Sequence, residues 1–89
     1  MNILQSLEFR KVYKNLHSNV RTIVNEQIQL VMQNPSIGEE KKQDLQGVFV
    51  HKFKINNLLY LLAYSFDETN LTLLTLGTHE NFYRDLKRK

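Results

Sequence analysis

The sequence contains no cysteine and no long apolar run, and both absences limit what the protein can be. Without cysteine the chain cannot form a disulfide, use a thiol nucleophile or bind a metal through thiolates. No apolar segment approaches the ~20 residues that span a bilayer. The N-terminal residues 1–10 also lack the apolar core of a secretion signal. We therefore expect a cytoplasmic protein that makes no membrane contact.

The motifs of common enzyme classes are missing as well. The histidines His17, His51 and His79 are not spaced like metal ligands. The 3 glycines are scattered and form no phosphate-binding loop, and no serine lies in a nucleophile-elbow context. We expect neither a metal ion nor another cofactor.

Length and charge suggest a small domain with an anionic partner. The 89 residues are enough for one domain, residues 1–89, and a hydrophobic content of 42% is ordinary for a globular protein. The formal net charge is +3, and basic side chains are concentrated in residues 77–89. This distribution favours nucleic acid or an acidic protein as the partner, although a small excess of basic residues alone is also compatible with an ordinary surface.

Two stripes of apolar residues with helical spacing predict two helices in the first half of the chain. The first stripe consists of Phe9, Val12, Tyr13 and Leu16, and the second of Val20, Ile23, Val24, Ile28 and Val31. We expect Ser6 to cap the first helix and Ser18 or Asn19 to cap the second. The pair Asn34-Pro35 ends the second helix, because the residue before proline avoids the helical region. A connection over residues 16–19 predicts an antiparallel hairpin.

The second half of the chain has the alternating pattern of strands. Residues 36–47 are polar and are expected to form a surface loop that can include a short helical turn. A first strand is predicted over residues 48–55, followed by a hairpin turn at Asn56-Asn57. The central strand over residues 58–66 is almost wholly apolar, which is typical of a strand buried on both faces. Residues 67–70 predict another turn before a third strand over residues 71–76.

The end of the chain predicts a short final helix. Gly77 is expected to break the third strand, and Thr78 to cap a helix that runs to about Lys87. The complete pattern predicts an α+β fold in which an N-terminal antiparallel helical hairpin packs on an antiparallel β-meander of three to four strands, with a short C-terminal helix. The hairpin should cover one face of the sheet and leave the other face partly open.

The first strand contains a pair of lysines that suits a phosphodiester backbone. Lys52 and Lys54 are two residues apart, so their ammonium groups lie on one face of the strand, roughly 6.5–7 Å apart along it. Alone, the pair has a simpler interpretation as an ordinary solvent-exposed face. His51 lies on the opposite side of the strand, toward the helices, and is expected to be structural rather than catalytic. His17 is expected at the surface.

The predicted final helix contains a second candidate group. At helical spacing, one face is formed by His79, Phe82, Tyr83 and Leu86. The stripe has two interpretations, amphipathic packing or a functional site. In the functional interpretation, the His79 imidazole gives and takes a proton near neutral pH. Tyr83 then offers a ring that stacks on a base, together with a hydroxyl group, and Arg84 contacts a phosphate.

With these elements and motifs, the chain resembles the RelE/ParE superfamily of bacterial type II toxins. The order of elements fits, and four local segments resemble the family: Asn34-Pro35-Ser36-Ile37-Gly38, Asp44-Leu45-Gln46-Gly47, Leu62-Ala63-Tyr64, and Leu76-Gly77-Thr78-His79-Glu80-Asn81-Phe82-Tyr83-Arg84. Two features depart from the family pattern. Only residues 1–5 are available for the edge strand that usually precedes the first helix, so this strand is expected to be stunted or missing. Leu61 also stands where ribonuclease members commonly place an arginine.

The resemblance implies one of three functions. The first is a toxin that cleaves mRNA on the ribosome without a metal and inhibits translation. The second is an inhibitor of DNA gyrase without nuclease activity, and the third is a degenerate relative that acts only in antitoxin binding and operon autoregulation. The match of the lysine pair and of His79 to the ribonuclease pattern favours the first.

The resemblance also implies site residues and partners. The catalytic residues would be His79, Lys52, Lys54 and Tyr83, and the RNA-binding or phosphate-binding residues would be Arg84, Lys87 and Arg88. The partners would be the ribosome and mRNA, and a cognate antitoxin protein from the same operon. Operator DNA would be bound only through that antitoxin.

Overall fold

The computed structural model describes residues 1–41 and 47–79 and confirms the α+β class. Its elements are β1 Asn2–Gln5, α1 Leu7–Lys14, α2 Ser18–Gln33, a single 3₁₀ turn Pro35–Ile37, β2 Glu39–Glu40, β3 Phe49–Ile55, β4 Leu58–Phe66 and β5 Asn70–Thr78. The helical hairpin and the central strand lie where the sequence pattern predicts them. The predicted final helix falls mainly on residues 80–89, outside the described part of the chain.

The sheet is larger than the predicted three to four strands and is mixed rather than purely antiparallel. Within residues 1–41 and 47–79 it has five strands, in the order β1-β5-β4-β3-β2. Strand β1 pairs parallel to β5, and the other neighbours are antiparallel. Of the two expected alternatives for the first edge strand, a missing strand is wrong and a short strand is confirmed. Strand β1 is short, but it is paired along its length, with a hydrogen bond at each end from Asn2 N to Thr69 O (2.8 Å) and from Ser6 N to Leu73 O (2.9 Å).

The helix ends follow the predicted capping with one correction. Ser6 caps α1, because its Oγ accepts a hydrogen bond from Phe9 N at 3.0 Å. Helix α2 begins one or two residues earlier than expected. His17 therefore occupies the N-cap position instead of Ser18 or Asn19, and it makes no side-chain cap bond. The same helix ends at Gln33, directly before Asn34-Pro35, as predicted.

The two helices and one face of the sheet enclose the main core. Its buried residues are Phe9, Val24, Ile28, Val31, Phe53, Ile55, Leu62, Tyr64, Leu71, Leu73 and Leu76. Strand β4 is buried on both faces, as its apolar sequence predicts. On the face opposite the helices, Val50, Leu61 and Ala63 form a second cluster and are at most 2% exposed. The centre of that face is therefore buried, whereas Lys52 and Lys54 are exposed on it, so the face is partly open as expected.

A β-bulge in β5 changes which residues face the helices. Ala63 pairs with Thr75 and Tyr64 pairs with Leu73, so Leu74 is an extra residue in β5. Leu73 lies in the main core before the bulge and Leu76 after it, and the alternation therefore reverses. Gly77 continues the strand opposite Leu61 and does not end it. The predicted strand end at Gly77 is wrong, because the ladder with β4 extends to Thr78. His79, which directly follows, has helical backbone, and the rest of the helix predicted to begin after Thr78 lies outside the described residues.

Tyr64 fixes the short turn that leads into β2. Its hydroxyl group donates a hydrogen bond to Pro35 O at 2.7 Å and accepts one from Gly38 N at 3.0 Å. Burial raises the pKa of Tyr64, and the hydrogen bond from Gly38 partly offsets the rise. Gly38 is needed here, because a Cβ atom would lie 2.6 Å from the tyrosine oxygen and 3.0 Å from Val50 O. The turn thereby holds β2 against β3.

Replacing Tyr64 by phenylalanine is expected to lower the free energy of unfolding by about 1–3 kcal/mol, because the Gly38 N–H and the Pro35 carbonyl lose their partner in a partly buried place. Urea unfolding measures the change. Tyr13→Phe is the matched control, since it removes the same atom from an exposed hydrogen bond to Asn25 Oδ1 of 2.7 Å. It should cost less than about 1 kcal/mol. Equal losses in the two variants would contradict this role of Tyr64.

Candidate functional site

The two candidate lysines lie on the sheet face opposite the helical hairpin. Lys52 and Lys54 are both exposed in β3, whereas their neighbours Phe53 and Ile55 are buried in the main core. Val50, on the same side as the lysines, belongs to the second cluster. The alternation predicted from the sequence is therefore confirmed. Two cations separated by one residue form a local positive charge beside this buried apolar cluster.

The strand register brings the lysines and His79 to the same end of the sheet. Lys52 pairs with Leu61, which pairs with Gly77, so one row crosses three strands. Lys54 pairs with Leu59 near the Asn56-Asn57 turn, and the exposed His79 directly follows the last pair of β5. Because neighbouring strands are 4.7–4.9 Å apart, the backbones of β3 and β5 are separated by about 10 Å. Side chains from both strands can reach a common ligand over this distance.

The β-bulge makes this arrangement possible. Leu71 and Leu73 face the helices, so uninterrupted alternation would also turn Gly77 toward them. The extra residue Leu74 instead places Gly77 on the lysine face, in the row with Lys52. A Cβ atom at Gly77 would have no atom of the described residues within 4 Å. The sequence alone does not reveal the bulge, because both Leu74 and its neighbours are compatible with an unbroken strand.

Leu61 is a buried apolar residue between Lys52 of β3 and Gly77 of β5. It is 0% exposed and packs with Val50 and Ala63. At the centre of the row, where the resemblance leads one to expect an arginine, the chain therefore provides no positive charge. Within this row of described residues, the positive charge comes from Lys52, with Lys54 two residues further along β3.

Glu39 is a neighbour of the site that the sequence pattern does not reveal. Strand β2 pairs Glu39 with Val50, which lies two residues before Lys52 on the same face of β3. The pKa of Glu39 is lowered first by its hydrogen bond to Lys41 and by the charge of Lys41, and then by the charge of Lys52. The Lys41 Nζ to Glu39 Oε1 distance is 2.5 Å, so this carboxylate is held mainly by Lys41. No sequence signal marks a two-residue strand within a polar segment.

His51 lies on the other side of β3 and has a structural environment. Its Nε2 is 2.7 Å from Gln27 Oε1 in α2, and its ring stacks on Phe53 with centroids 5.7 Å apart. Partial burial lowers the pKa of His51, because it disfavours the charged form. The prediction that His51 faces the helices is confirmed. The prediction of an exposed His17 is confirmed as well.

The lowered pKa of His51 predicts a loss of stability in mild acid. The unfolded chain, with an ordinary imidazole pKa of about 6.5, binds this proton more readily than the folded chain, so the free energy of unfolding should fall as the pH drops below about 6.5. Urea unfolding at several pH values between about 7.5 and 5 tests this, with His51→Gln as the comparison. The pKa values of Glu39 and Asp67 are lowered too, and these carboxylates contribute only at lower pH. A wild-type slope that persists in His51→Gln would contradict the assignment.

Several predicted residues lie outside the described part of the chain. Tyr83, Arg84, Lys87 and Arg88 fall within residues 80–89. In residues 1–41 and 47–79, no group of three or more His, Asp or Glu side chains could hold a metal ion. The helices in these two ranges are also too short or too polar to cross a membrane.

Comparison with known proteins places this geometry in context. The sequence profile described as "ParE-like toxin of type II bacterial toxin-antitoxin system" matches residues 3–87. No curated protein matches the sequence significantly. The profile covers nearly the whole chain, including the lysine pair and His79.

Solved structures share the fold at low sequence identity. The isolated RelE toxin of E. coli aligns over 98% of this chain and 96% of its own, with a TM-score of 0.67 and 20% identity. A toxin described as YoeB/ParE from Agrobacterium tumefaciens aligns over 89% and 99%, with a TM-score of 0.68 and 16% identity. A chain of the intact E. coli RelBE toxin-antitoxin complex aligns over 85% and 93%, with a TM-score of 0.68 and 19% identity. At these identities the likeness concerns the fold.

Proposed function

The chain belongs to the ParE-like toxin family of type II bacterial toxin-antitoxin systems, and we propose that it is an endoribonuclease that cleaves mRNA on the ribosome without a metal. The observation that supports this proposal is the pair Lys52 and Lys54 at the end of the sheet where β5 leads into His79. Two cations and an imidazole are the groups that cleavage of a phosphodiester needs when no metal takes part.

In the proposed reaction the ribose 2′-OH attacks the adjacent phosphorus. The bond from the 2′-oxygen to phosphorus forms while the bond from phosphorus to the 5′-oxygen breaks, which gives a cyclic phosphate and a free 5′-OH. One group accepts the proton of the 2′-OH and another donates a proton to the leaving oxygen. We assign His79 to one of these proton transfers, and Lys52 and Lys54 to stabilisation of the charged phosphate, where one lysine can also act as the base.

The residues after His79 enter the proposal from the sequence. Tyr83 would stack on a base or donate a proton, and Arg84, Lys87 and Arg88 would contact phosphates. General acid–base catalysis is typically worth 10²–10⁴-fold, roughly. Positioning of the mRNA by the ribosome would supply much of the remaining acceleration.

The proposal includes a protein partner. One of the structures that share the fold is a toxin-antitoxin complex, and we propose that this chain is likewise neutralised by an antitoxin from its own operon. The toxin would then contact operator DNA only through the antitoxin, and would act in the cytoplasm, where the ribosomes are.

The decisive experiment is the addition of the purified protein to a translating extract, followed by primer extension on a defined mRNA. The proposal expects new 5′ ends in the translated mRNA and none when initiation is blocked. Intact mRNA under translating conditions would contradict it.

Inhibition of DNA gyrase is the second candidate, and the buried Leu61 favours it. A gyrase inhibitor needs no phosphate-stabilising cation at position 61, and this chain has there a fully buried leucine. A supercoiling assay with purified gyrase distinguishes the two activities, because an inhibitor would block supercoiling and leave mRNA intact. A protein that does neither and still binds its antitoxin would be the degenerate relative.

A further inference from the structure

Gly77 is a glycine that the described part of the fold does not require, unlike the other two. The chain has 3 glycines. Gly47 has a φ of 85°, in the left-handed region that favours glycine. Gly38 lies so close to Tyr64 and to the carbonyl group of Val50 that a Cβ atom has no room. Gly77 meets neither condition, because its φ is not positive and a Cβ atom there would have no atom of the described residues within 4 Å.

The position of Gly77 in β5 is one where glycine lowers stability. The residue lies within the β4–β5 ladder, opposite Leu61, and the ladder continues to Thr78. A strand is unfavourable for glycine, because the unfolded chain has more conformational freedom to lose and no side chain packs against the neighbours. A β-branched residue suits such a position better. Pairs on both sides also hold Gly77 in the sheet, so it is not placed as a hinge before His79.

The surroundings of Gly77 are those of the candidate site. Residues directly opposite each other in antiparallel strands have their side chains on one face, so the row Lys52, Leu61 and Gly77 shares a face. The Cα atoms of Lys52 and Gly77 are two strand spacings apart, about 10 Å. His79 follows two residues later, and Gly77 itself is partly exposed. A phosphate that contacts both Lys52 and His79 would therefore lie beside the backbone of Gly77.

The β-bulge removes a second side chain from the same place. Without the extra residue Leu74, alternation would put the side chain of Leu76 on the lysine face, close to His79. With the bulge, Leu76 turns into the main core and Gly77 takes the exposed face. Bulges are frequent next to active sites, where they change the direction of side chains. The bulge and the glycine thus both keep this end of β5 free of side chains.

We propose that the missing side chain at Gly77 lets the ribose and phosphate of the cleaved nucleotide approach the backbone of β5 beside His79. This inference rests on the proposed function, because it gives Gly77 a positioning role in the same reaction. Gly77 transfers no proton and acts through the space that it leaves. A side chain there would move the ribose away from the imidazole, and a misplacement of about 1 Å can lower a rate by roughly 10²-fold.

The experiment compares Gly77→Ala and Gly77→Val with the wild type in two measurements. Primer extension in a translating extract gives the rate of mRNA cleavage, and urea unfolding gives the stability. We expect the urea midpoint of both variants to equal or exceed that of the wild type, because alanine and valine suit a strand better than glycine. We expect cleavage to fall by about tenfold in Gly77→Ala and by about 10²-fold or more in Gly77→Val. A glycine required only by the fold would not lose activity while stability is kept.

Two control variants accompany this series. Ser65→Val places the same side chain on the same sheet face, four residues beyond Leu61 along β4 and away from His79, and should cleave like the wild type. Gly38→Ala represents a glycine that the fold requires. Its urea midpoint should fall, because the new Cβ atom would lie 2.6 Å from the Tyr64 oxygen.

Two results would overturn the inference. Cleavage by Gly77→Val within about twofold of the wild type would show that the substrate does not approach at this place. A lower urea midpoint in both Gly77 variants would assign the glycine to packing instead.

A binding measurement separates this inference from the proposed function. Fluorescence anisotropy with a labelled oligouridylate reports RNA binding without the ribosome. If the wild type binds this probe without cleaving mRNA, and Gly77→Val binds it at least about tenfold more weakly, the nuclease proposal fails and the approach of RNA at Gly77 stands. Equal cleavage by the wild type and Gly77→Val refutes the role of Gly77 alone. A wild type that neither cleaves mRNA nor binds the probe refutes both.

Discussion

Replacing His79 by alanine is expected to reduce mRNA cleavage by about 10²–10⁴-fold, which is the typical contribution of a positioned acid or base. The fold should not change. His79 is exposed and follows the last residue pair of β5, so its side chain is not part of either buried cluster. Substitutions at exposed positions usually alter the free energy of unfolding by less than about 0.5 kcal/mol. Primer extension in a translating extract measures the activity, and urea unfolding measures the stability.

His17→Ala is the matched control for this variant. His17 is also exposed, but it lies at the N-cap position of α2 and makes no side-chain cap bond. Both variants lose one imidazole, and only the change at His79 should impair cleavage. Cleavage within about twofold of wild type would show that His79 takes no part in proton transfer. A marked loss of stability in His79→Ala would instead assign the residue to packing.

Local patterns of sequence explain why much of the fold could be predicted. The Asn56-Asn57 turn forms because asparagine tolerates positive φ, here 52° and 68°, and this turn sets the register of β3 and β4. Apolar alternation then determines which side of β3 faces the helices. The side assignments of Lys52, Lys54 and His51 follow from this short-range information alone.

The missed features depend on contacts between distant parts of the chain. Strand β1 has no pattern of its own and exists because residues 2–5 pair with β5, 68 positions away. Strand β2 is two residues long, and its position depends on the two hydrogen bonds that join the Tyr64 hydroxyl group to Pro35 O and Gly38 N. The bulge at Leu74 accommodates the partner strand and leaves no local signal.

The candidate site, like the fold, could be predicted from the sequence only in part. The lysine pair could be predicted from its spacing, but the closeness of β3 and β5 at the His79 end depends on the order of strands in the sheet. Glu39 reaches the neighbourhood of Lys52 only through β2. Leu61 could be recognised as apolar from the sequence, whereas its complete burial in a second cluster required the structure.

Replacing both Lys52 and Lys54 by glutamine is expected to lower mRNA cleavage by about 10²–10³-fold, which is the usual effect of removing a group that stabilises charge in a transition state. The phosphate becomes more negative as the 2′-oxygen attacks. The ammonium groups of Lys52 and Lys54 lie at the end of the sheet that leads into His79, where they can stabilise this charge. Leu61 and Gly77, which share the row with Lys52, carry no charge, so neither of them can compensate for the loss. The double variant should also show a weaker dependence of activity on salt, since it makes fewer phosphate contacts.

Lys11→Gln with Lys14→Gln is the matched control. It lowers the net charge by the same amount as the β3 double variant, but at exposed positions of α1, and it leaves the sheet unchanged. If activity depends only on the overall positive charge that attracts RNA, both double variants should lose activity to the same degree. If the lysines act at the phosphate, only the pair in β3 should matter, and each single variant should have part of the effect. Equal activity of the β3 double variant and wild type would exclude these lysines from catalysis. Gyrase inhibition that survived in that variant would then make gyrase the better-supported target.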